Sequence, residues 1–203
     1  MTEVKAFDTY KTNADLIVAA VRLGYLRKEW TTLDPTCGEG TFWNLWRPDR
    51  LIASDLDSRK SPTGTSVDVR RLPHMGRVFD ATVFDGPYKF NGRPAAETDE
   101  RYGVHLPTRW QDRMDLLIEG TKECARVTKT MLLIKCMDQV CSGKIRWQRR
   151  VLTEVAEHEG FGLLDELHYE SFRPQPSGRR QVTARRNFST LLILQRGHSW
   201  RHA

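Results

Sequence analysis

The segment Val83-Phe84-Asp85-Gly86-Pro87-Tyr88-Lys89-Phe90 puts a carboxylate, an unsubstituted stretch of backbone and an aromatic ring side by side at the end of an apolar run. Such a run reads as a buried strand that ends in a turn. A carboxylate and a carbonyl at that point can accept the hydrogens of a polar group, and a tyrosine beside them can stack on a planar one. The same residues also have a purely local reading, because Asp-Gly-Pro is a good turn former and Tyr88 would serve as a core aromatic. The surrounding sequence has to choose.

A second constellation lies upstream. Leu33-Asp34-Pro35-Thr36-Cys37-Gly38-Glu39-Gly40-Thr41-Phe42 ends a strand and is expected to open a helix. Gly38 and Gly40 let the backbone turn tightly and come close to a ligand where a Cβ would collide, at the carboxyl edge where open α/β sheets bind ligands. Taken alone, Gly-x-Gly is an ordinary turn. Here a second strand follows and ends in Asp55, an acid able to accept hydrogen bonds from ribose hydroxyls. A dinucleotide site needs a third glycine where this chain has Trp43, and the GK[ST] of a phosphate-cradling loop is absent. S-adenosylmethionine carries no phosphate and needs only the tight turn, the ribose acceptor and contacts to adenine and to its methionine end. Asp68, just after an expected third strand, is placed to receive the adenine amino group; its bland alternative is a solvated loop acid.

These residues need elements to hold them. Apolar residues recur at helical spacing over residues 14–21, 110–127 and 145–158, with Met114, Leu117, Ile118 and Ala125 on one face of the second. Residues 31–35, 51–54, 81–84 and 131–134 are short apolar runs bounded by turn residues. Residues 162–169 and 188–195 follow as two strands with no helix between them, so they should pair antiparallel. The order predicts an α/β fold: a mostly parallel sheet, helices on both faces and one antiparallel C-terminal hairpin. The length predicts a single domain over residues 1–203. Residues 58–66 form a polar connection. Residues 89–108 form a long charged loop directly after the Asp85 segment and read as an active-site loop.

The net charge of +6 is unevenly spread: residues 171–203 hold seven arginines and no acid. A basic strip of this kind is a footprint for a polyanion, most often nucleic acid, with a merely solvated surface as the alternative. Arg173, Arg179, Arg180, Arg185 and Arg186 fall in the expected 173–187 loop, and Lys89 stands at the mouth of the other. No apolar run reaches about 18 residues and the first residues have no apolar core, so a soluble, cytoplasmic chain without a membrane span is expected. Cys37, Cys124, Cys136 and Cys141 lack paired CxxC spacing and read as reduced thiols, with no metal implied. Nothing in the sequence fixes an oligomeric state.

DPTCGEGTF, ASDLD and FDGPY, in that order, resemble motifs I, II and IV of class I S-adenosylmethionine-dependent methyltransferases that methylate exocyclic amines, including bacterial and phage DNA adenine-N6 and cytosine-N4 methylases. The resemblance covers most of the chain. Gly143-Lys144 with Trp147-Gln148, and Arg173-Pro174-Gln175-Pro176, are similar to small phage-type members of that group. The resemblance implies a Rossmann-like, seven-stranded sheet and S-adenosylmethionine as cofactor. It implies cofactor contacts from Asn13, Asp34, Pro35, Cys37, Gly38, Gly40, Phe42, Asp55 and Asp68, and a catalytic corner of Asp85, Gly86, Pro87 and Tyr88. Nucleic-acid contacts, with DNA favoured, would come from Lys89, Arg173, Arg179, Arg180, Arg185 and Arg186. Two features depart from the family pattern: Gly86 stands where a proline is usual, and there is no separate target-recognition segment.

The Asp85 segment makes chemical sense in that setting. An exocyclic amine of adenine or cytosine is a poor nucleophile because its lone pair is delocalised into the ring. Asp85 and the Gly86 carbonyl would accept its two hydrogens and favour a pyramidal nitrogen, while Tyr88 would stack on a base taken out of its helix. Gly86 is expected to supply the carbonyl of the usual proline on a looser turn, so that a proline there would rigidify it. Cytosine-C5 chemistry needs a cysteine nucleophile, typically after proline, but Thr36, Glu123, Lys135 and Val140 precede the four cysteines. Three alternatives stay open: an RNA guanine-N2 enzyme, a protein glutamine-N5 enzyme, and a nucleic-acid-binding protein that keeps the fold without turnover.

Overall fold

The computed structural model describes residues 10–90, 109–170, 184 and 188–199. The chain runs through α1 (Asn13–Arg22), β1 (Thr31–Asp34), a 3-10 turn (Thr41–Trp43), β2 (Arg50–Ala53) and β3 (Phe79–Phe84). It continues through α2 (Trp110–Val127), β4 (Thr128–Cys136), β5 (Gln139–Cys141), β6 (Lys144–Arg146), α3 (Gln148–His158), β7 (Phe161–Glu170) and β8 (Phe188–Arg196). α1 starts on a capping box: the Thr12 hydroxyl accepts the Asp15 N–H at 3.2 Å, and the Asp15 carboxylate accepts the Thr12 N–H at 2.8 Å.

A six-stranded sheet has the order β2-β1-β3-β4-β8-β7. β1 is parallel to β2 and β3, β3 is parallel to β4, and β8 lies antiparallel between β4 and β7. The period of two along the central strands sends side chains to two cores. Val83, Met131, Leu133, Leu191 and Ile193 pack with Leu16, Ile17 and Ala20 of α1. Phe84, Leu132, Ile134, Leu192 and Leu194 pack with Leu117 and Cys124 of α2 and Leu152 of α3. Helices therefore cover both faces, as the sequence predicts. The strand order reverses at β1, which lies between β2 and β3, and Asp34 and Asp85 stand at the carboxyl ends of β1 and β3, the edge at which open α/β sheets bind ligands.

Arg196 closes the opposite end of the sheet. Its guanidinium donates to the carbonyls of Ala125 and Thr128 at the end of α2 and to that of Glu159 after α3, at 2.6 to 3.2 Å. A cation so placed satisfies carbonyls that a helix leaves unpaired. A cavity of about 370 Å³, lined in part by Arg77, Arg126 and Arg196, adjoins this end.

Three expectations need correction. The main sheet has six strands, not seven: the strand expected before Asp68 is reduced to one parallel bridge, Asp55 to Ser66, with the Val67 N–H on the Asp55 carbonyl at 2.9 Å. Beyond that bridge the chain enters a turn, in which the Asp68 carboxylate accepts the Arg70 backbone N–H at 2.9 Å. After the glycine loop there is only the 3-10 turn, since residues 44–49 alone separate it from β2 and include Pro48. The helix expected from residue 145 starts at Gln148, and the preceding residues form the β5–β6 hairpin. Ser142 and Gly143, with φ of 53° and 74°, supply the two left-handed residues of its turn.

No helix among the described residues is long and apolar enough to cross a membrane.

Candidate active site

The glycine loop after β1 is held from three sides. Gly38 and Gly40 have φ of 49° and 70°, and a Cβ on either would meet nothing within 4 Å. Their use is the left-handed backbone and the open space it leaves. The Cys37 N–H donates to the Ser54 carbonyl at 3.0 Å and the Gly38 N–H to Asp55 Oδ2 at 2.8 Å. Asp55 Oδ1 accepts the Asp57 N–H at 2.9 Å, so the buried acid at the end of β2 braces the loop as well as bordering it. Asp34 accepts the Thr36 N–H at 3.1 Å and the Trp43 indole N–H at 2.7 Å. Burial raises its pKa to about 7 against those two hydrogen bonds, with Asp85 and Asp55 adding to the rise. Pro35 and Phe42 are buried beside it. Burial, reinforced by Asp34 and Asp55, pushes the Cys37 thiol up to about 12, which leaves it un-ionised at neutral pH.

Asp85 joins this loop through its backbone: its N–H donates to Thr36 Oγ1 at 3.1 Å. Its carboxylate is divided. Oδ2 lies 3.5 Å from Lys135 Nζ, whereas Oδ1 is buried and has no hydrogen-bond partner. Lys135, on β4, is 2 % exposed. It donates to Asn13 Oδ1 at 2.7 Å, and its ammonium sits 5.0, 5.5 and 5.8 Å from the ring centroids of Tyr88, Phe42 and Tyr169. Asn13 thus reaches the corner through Lys135. Burial raises the Asp85 pKa and Lys135 opposes the rise. Burial lowers that of Lys135, but Asp85, Tyr88 and Tyr169 outweigh it and hold the lysine as an ammonium. Burial pushes the Tyr88 phenol up to about 12. Lys135 was legible only as a lone charge in the apolar run Leu132-Leu133-Ile134-Lys135-Cys136, a pattern that by itself assigns it no role.

The backbone of the segment is tied down by polar side chains from other elements. The Gly86 carbonyl accepts the Tyr88 N–H at 2.7 Å across Pro87. The Tyr88 carbonyl accepts the side-chain amides of both Gln139 and Gln148, and that of Lys89 accepts the Arg113 guanidinium. The Phe90 N–H donates to Gln139 Oε1 at 3.2 Å. α2, β5 and α3 each contribute one of these anchors, polar residues whose spacing alone gave no sign of a shared target.

Solved structures share this architecture at low sequence identity. The magnesium protoporphyrin IX methyltransferase ChlM of Synechocystis PCC 6803, with bound SAM, is 12% identical with a TM-score of 0.55, over 91% of this chain and 77% of that one. Its form with bound SAH gives 12%, 0.56, 91% and 81%. TrmN from Thermus thermophilus is 15% identical with a TM-score of 0.54, over 90% of this chain and 48% of that one. The fold is the Rossmann-like methyltransferase fold. No protein-family model matches the chain, and no curated protein matches it.

Within this methyltransferase fold the structure brings Asn13, Asp34, Gly38, Asp55, Asp85 and Tyr88 into one linked cluster. Asp68 stands outside it: its half-buried carboxylate pairs with the Arg70 guanidinium at 2.6 Å, which lowers its pKa. Arg173, Arg179, Arg180, Arg185, Arg186 and residues 91–108 lie outside the described residues. The expectation that a proline at Gly86 would simply rigidify the turn meets a steric obstacle. A Cβ there would lie 2.7 Å from both Leu117 Cδ2 and Phe84 Cζ, so the position is glycine because the space of a side chain is already filled. Gly120 of α2 walls the other side of the same ring, with Phe84 Cζ 2.8 Å from its would-be Cβ.

Proposed function

We propose that the chain transfers the methyl group of S-adenosylmethionine to an exocyclic amino nitrogen of a DNA base, adenine N6 before cytosine N4. The observation that carries this reading is Asp85 Oδ1, a buried acceptor without a donor at the carboxyl end of β3, one hydrogen bond away from the glycine loop. An unsatisfied buried acceptor costs about 1–3 kcal/mol, and an incoming N–H would remove that cost.

The residues present fit the cofactor. Open space surrounds Gly38 and Gly40 where a Cβ would otherwise stand, and Asp55 lies at the foot of the loop as a ribose acceptor. Asn13, Asp34, Pro35, Cys37 and Phe42 would complete the border. Bound S-adenosylmethionine supplies an electrophilic methyl carbon. The chain does the rest: Asp85 and the Gly86 carbonyl accept the amine hydrogens and aim the lone pair, and the Tyr88 ring stacks on the base. Lys135, held as an ammonium, cannot take a proton, so the methylated nitrogen loses its extra proton to solvent. The target atom cannot be reached inside a duplex, so the base must be unpaired or flipped out. Lys89 and the five arginines of the basic loop would hold phosphates on either side, which favours a nucleic acid over a small-molecule amine.

Mass spectrometry of nucleosides from DNA incubated with the protein and S-adenosylmethionine tests the proposal. N6-methyladenine should form with the wild type and vanish with Asp85→Ala, while calorimetry still detects cofactor binding by the variant. Unmodified DNA despite bound cofactor would remove the substrate assignment, and absence of cofactor binding would remove the enzyme.

A further inference from the structure

Lys135 is a buried titratable group beside the reacting corner that this chemistry leaves unused. Its ammonium is enclosed by Asn13 of α1 at 2.7 Å, by Asp85 Oδ2 at 3.5 Å and by the rings of Phe42, Tyr88 and Tyr169. A lysine in the middle of a sheet is costly to bury unless its charge is matched, and Asp85 is the matching carboxylate. The other oxygen of that carboxylate is the orphan of the site.

Resting on the methyl-transfer reading, we infer that Lys135 is a positioning residue: by holding Asp85 Oδ2 it leaves Oδ1 as the acceptor for the substrate N–H, and by cancelling the charge of Asp85 it selects an uncharged, ring-conjugated amine over an alkylammonium.

A buried carboxylate without Lys135 would escape its desolvation cost in one of two ways. It could bind a proton, which turns one oxygen into a donor and spoils the acceptor. Or it could capture a cation, and a protonated alkylamine has no lone pair to methylate. Lys135 closes both routes, since the pair is neutral and a second cation meets the first. The groups around Asp85 are Lys135 from β4, Tyr88 from its own turn and Asp34 from β1, with Tyr169 of β7 on the far side of the lysine. Of these only Lys135 favours the ionised form of Asp85.

The test follows the Asp85 carboxyl by 13C NMR across pH in the cofactor-free wild type, Lys135→Met and Lys135→Arg. Transfer to an adenine-containing oligonucleotide and to n-butylamine is measured in parallel. Lys135→Met should raise the Asp85 midpoint by about one pH unit or more, a tenfold or larger change in proton affinity, and Lys135→Arg should bring it back. On the oligonucleotide, kcat should fall at least tenfold with KM nearly unchanged. The acid limb of the rate profile should move up with the NMR midpoint. A folded Lys135→Met protein whose Asp85 titrates as in the wild type overturns the inference, as does methylation of n-butylamine by the wild type. If Lys135→Met does not fold, Lys135→Gln keeps a donor for Asn13 and gives the same comparison. A shifted midpoint with no methylation of the oligonucleotide by the wild type would support the Asp85–Lys135 pairing and sink the methyl-transfer reading.

Discussion

The Phe84 ring occupies the place of the side chain that Gly86 lacks: its Cζ lies 2.7 Å from where a Cβ on Gly86 would stand. Phe84 is fully buried on β3, two residues from the glycine and against Leu117 of α2. A core aromatic therefore fills the space beside the Asp85 corner where a side chain on Gly86 would stand.

Gly86→Ala should destabilise the protein by about 1–3 kcal/mol through overpacking, and Gly86→Pro should do no better. Adding Phe84→Leu removes Cζ and Cε2, two of the three nearest atoms, and leaves Leu117 Cδ2. The double variant Phe84→Leu/Gly86→Ala should then lose less than the two single variants together, which urea denaturation would reveal as a coupling of about 0.5 kcal/mol or more. Strict additivity would mean that the two residues do not compete for one volume.

Asp55→Ala should weaken S-adenosylmethionine binding by about 1–3 kcal/mol, the cost of leaving hydrogen-bond partners unpaired. Because Asp55 also braces Gly38 at 2.8 Å, the variant should exchange the Gly38 amide hydrogen faster even without cofactor. Faster exchange with unchanged cofactor affinity would make Asp55 a brace only, and the converse would make it a ligand only.

Asp34 gives a pH signature. Its folded pKa of about 7 lies above the unfolded value of about 4, so the folded state binds its proton more tightly between the two. Stability from this group is present below pH 4 and is lost as pH rises through about 7, by no more than about 4 kcal/mol. Asp34→Asn does not titrate, so the fall in unfolding free energy from pH 4 to pH 7.5 should be smaller in the variant than in the wild type. Parallel curves would place the Asp34 midpoint at an ordinary value.

Replacing Arg179, Arg180, Arg185 and Arg186 by alanine should weaken DNA binding and flatten its salt dependence by up to about 0.9 for each phosphate that is no longer neutralised. Cofactor affinity measured by calorimetry should stay put. An unchanged salt slope would assign these arginines to solubility.

Local patterns determined the frame. The helical spacing in residues 14–21 and 110–127 and the short apolar runs were enough to order most elements, because burial on one or two faces imposes a period that a single chain displays. Gly38, Gly40, Asp55 and Asp85 were legible because tight turns and buried acceptors admit few residue types. The edge strand before Asp68 failed because its pairing stops at one bridge, beyond which the chain turns. The β5–β6 hairpin failed because its strands are three residues each, too short for a period to register. Tertiary structure alone decided the Asp85 corner. Asn13 and Lys135 are 122 residues apart in the chain, Phe84 and Gly120 meet across two elements, and Gln139, Gln148 and Arg113 converge on one stretch of backbone. Such pairings leave no periodic mark in the sequence, because the charge or the volume that each residue must match is carried by a distant segment.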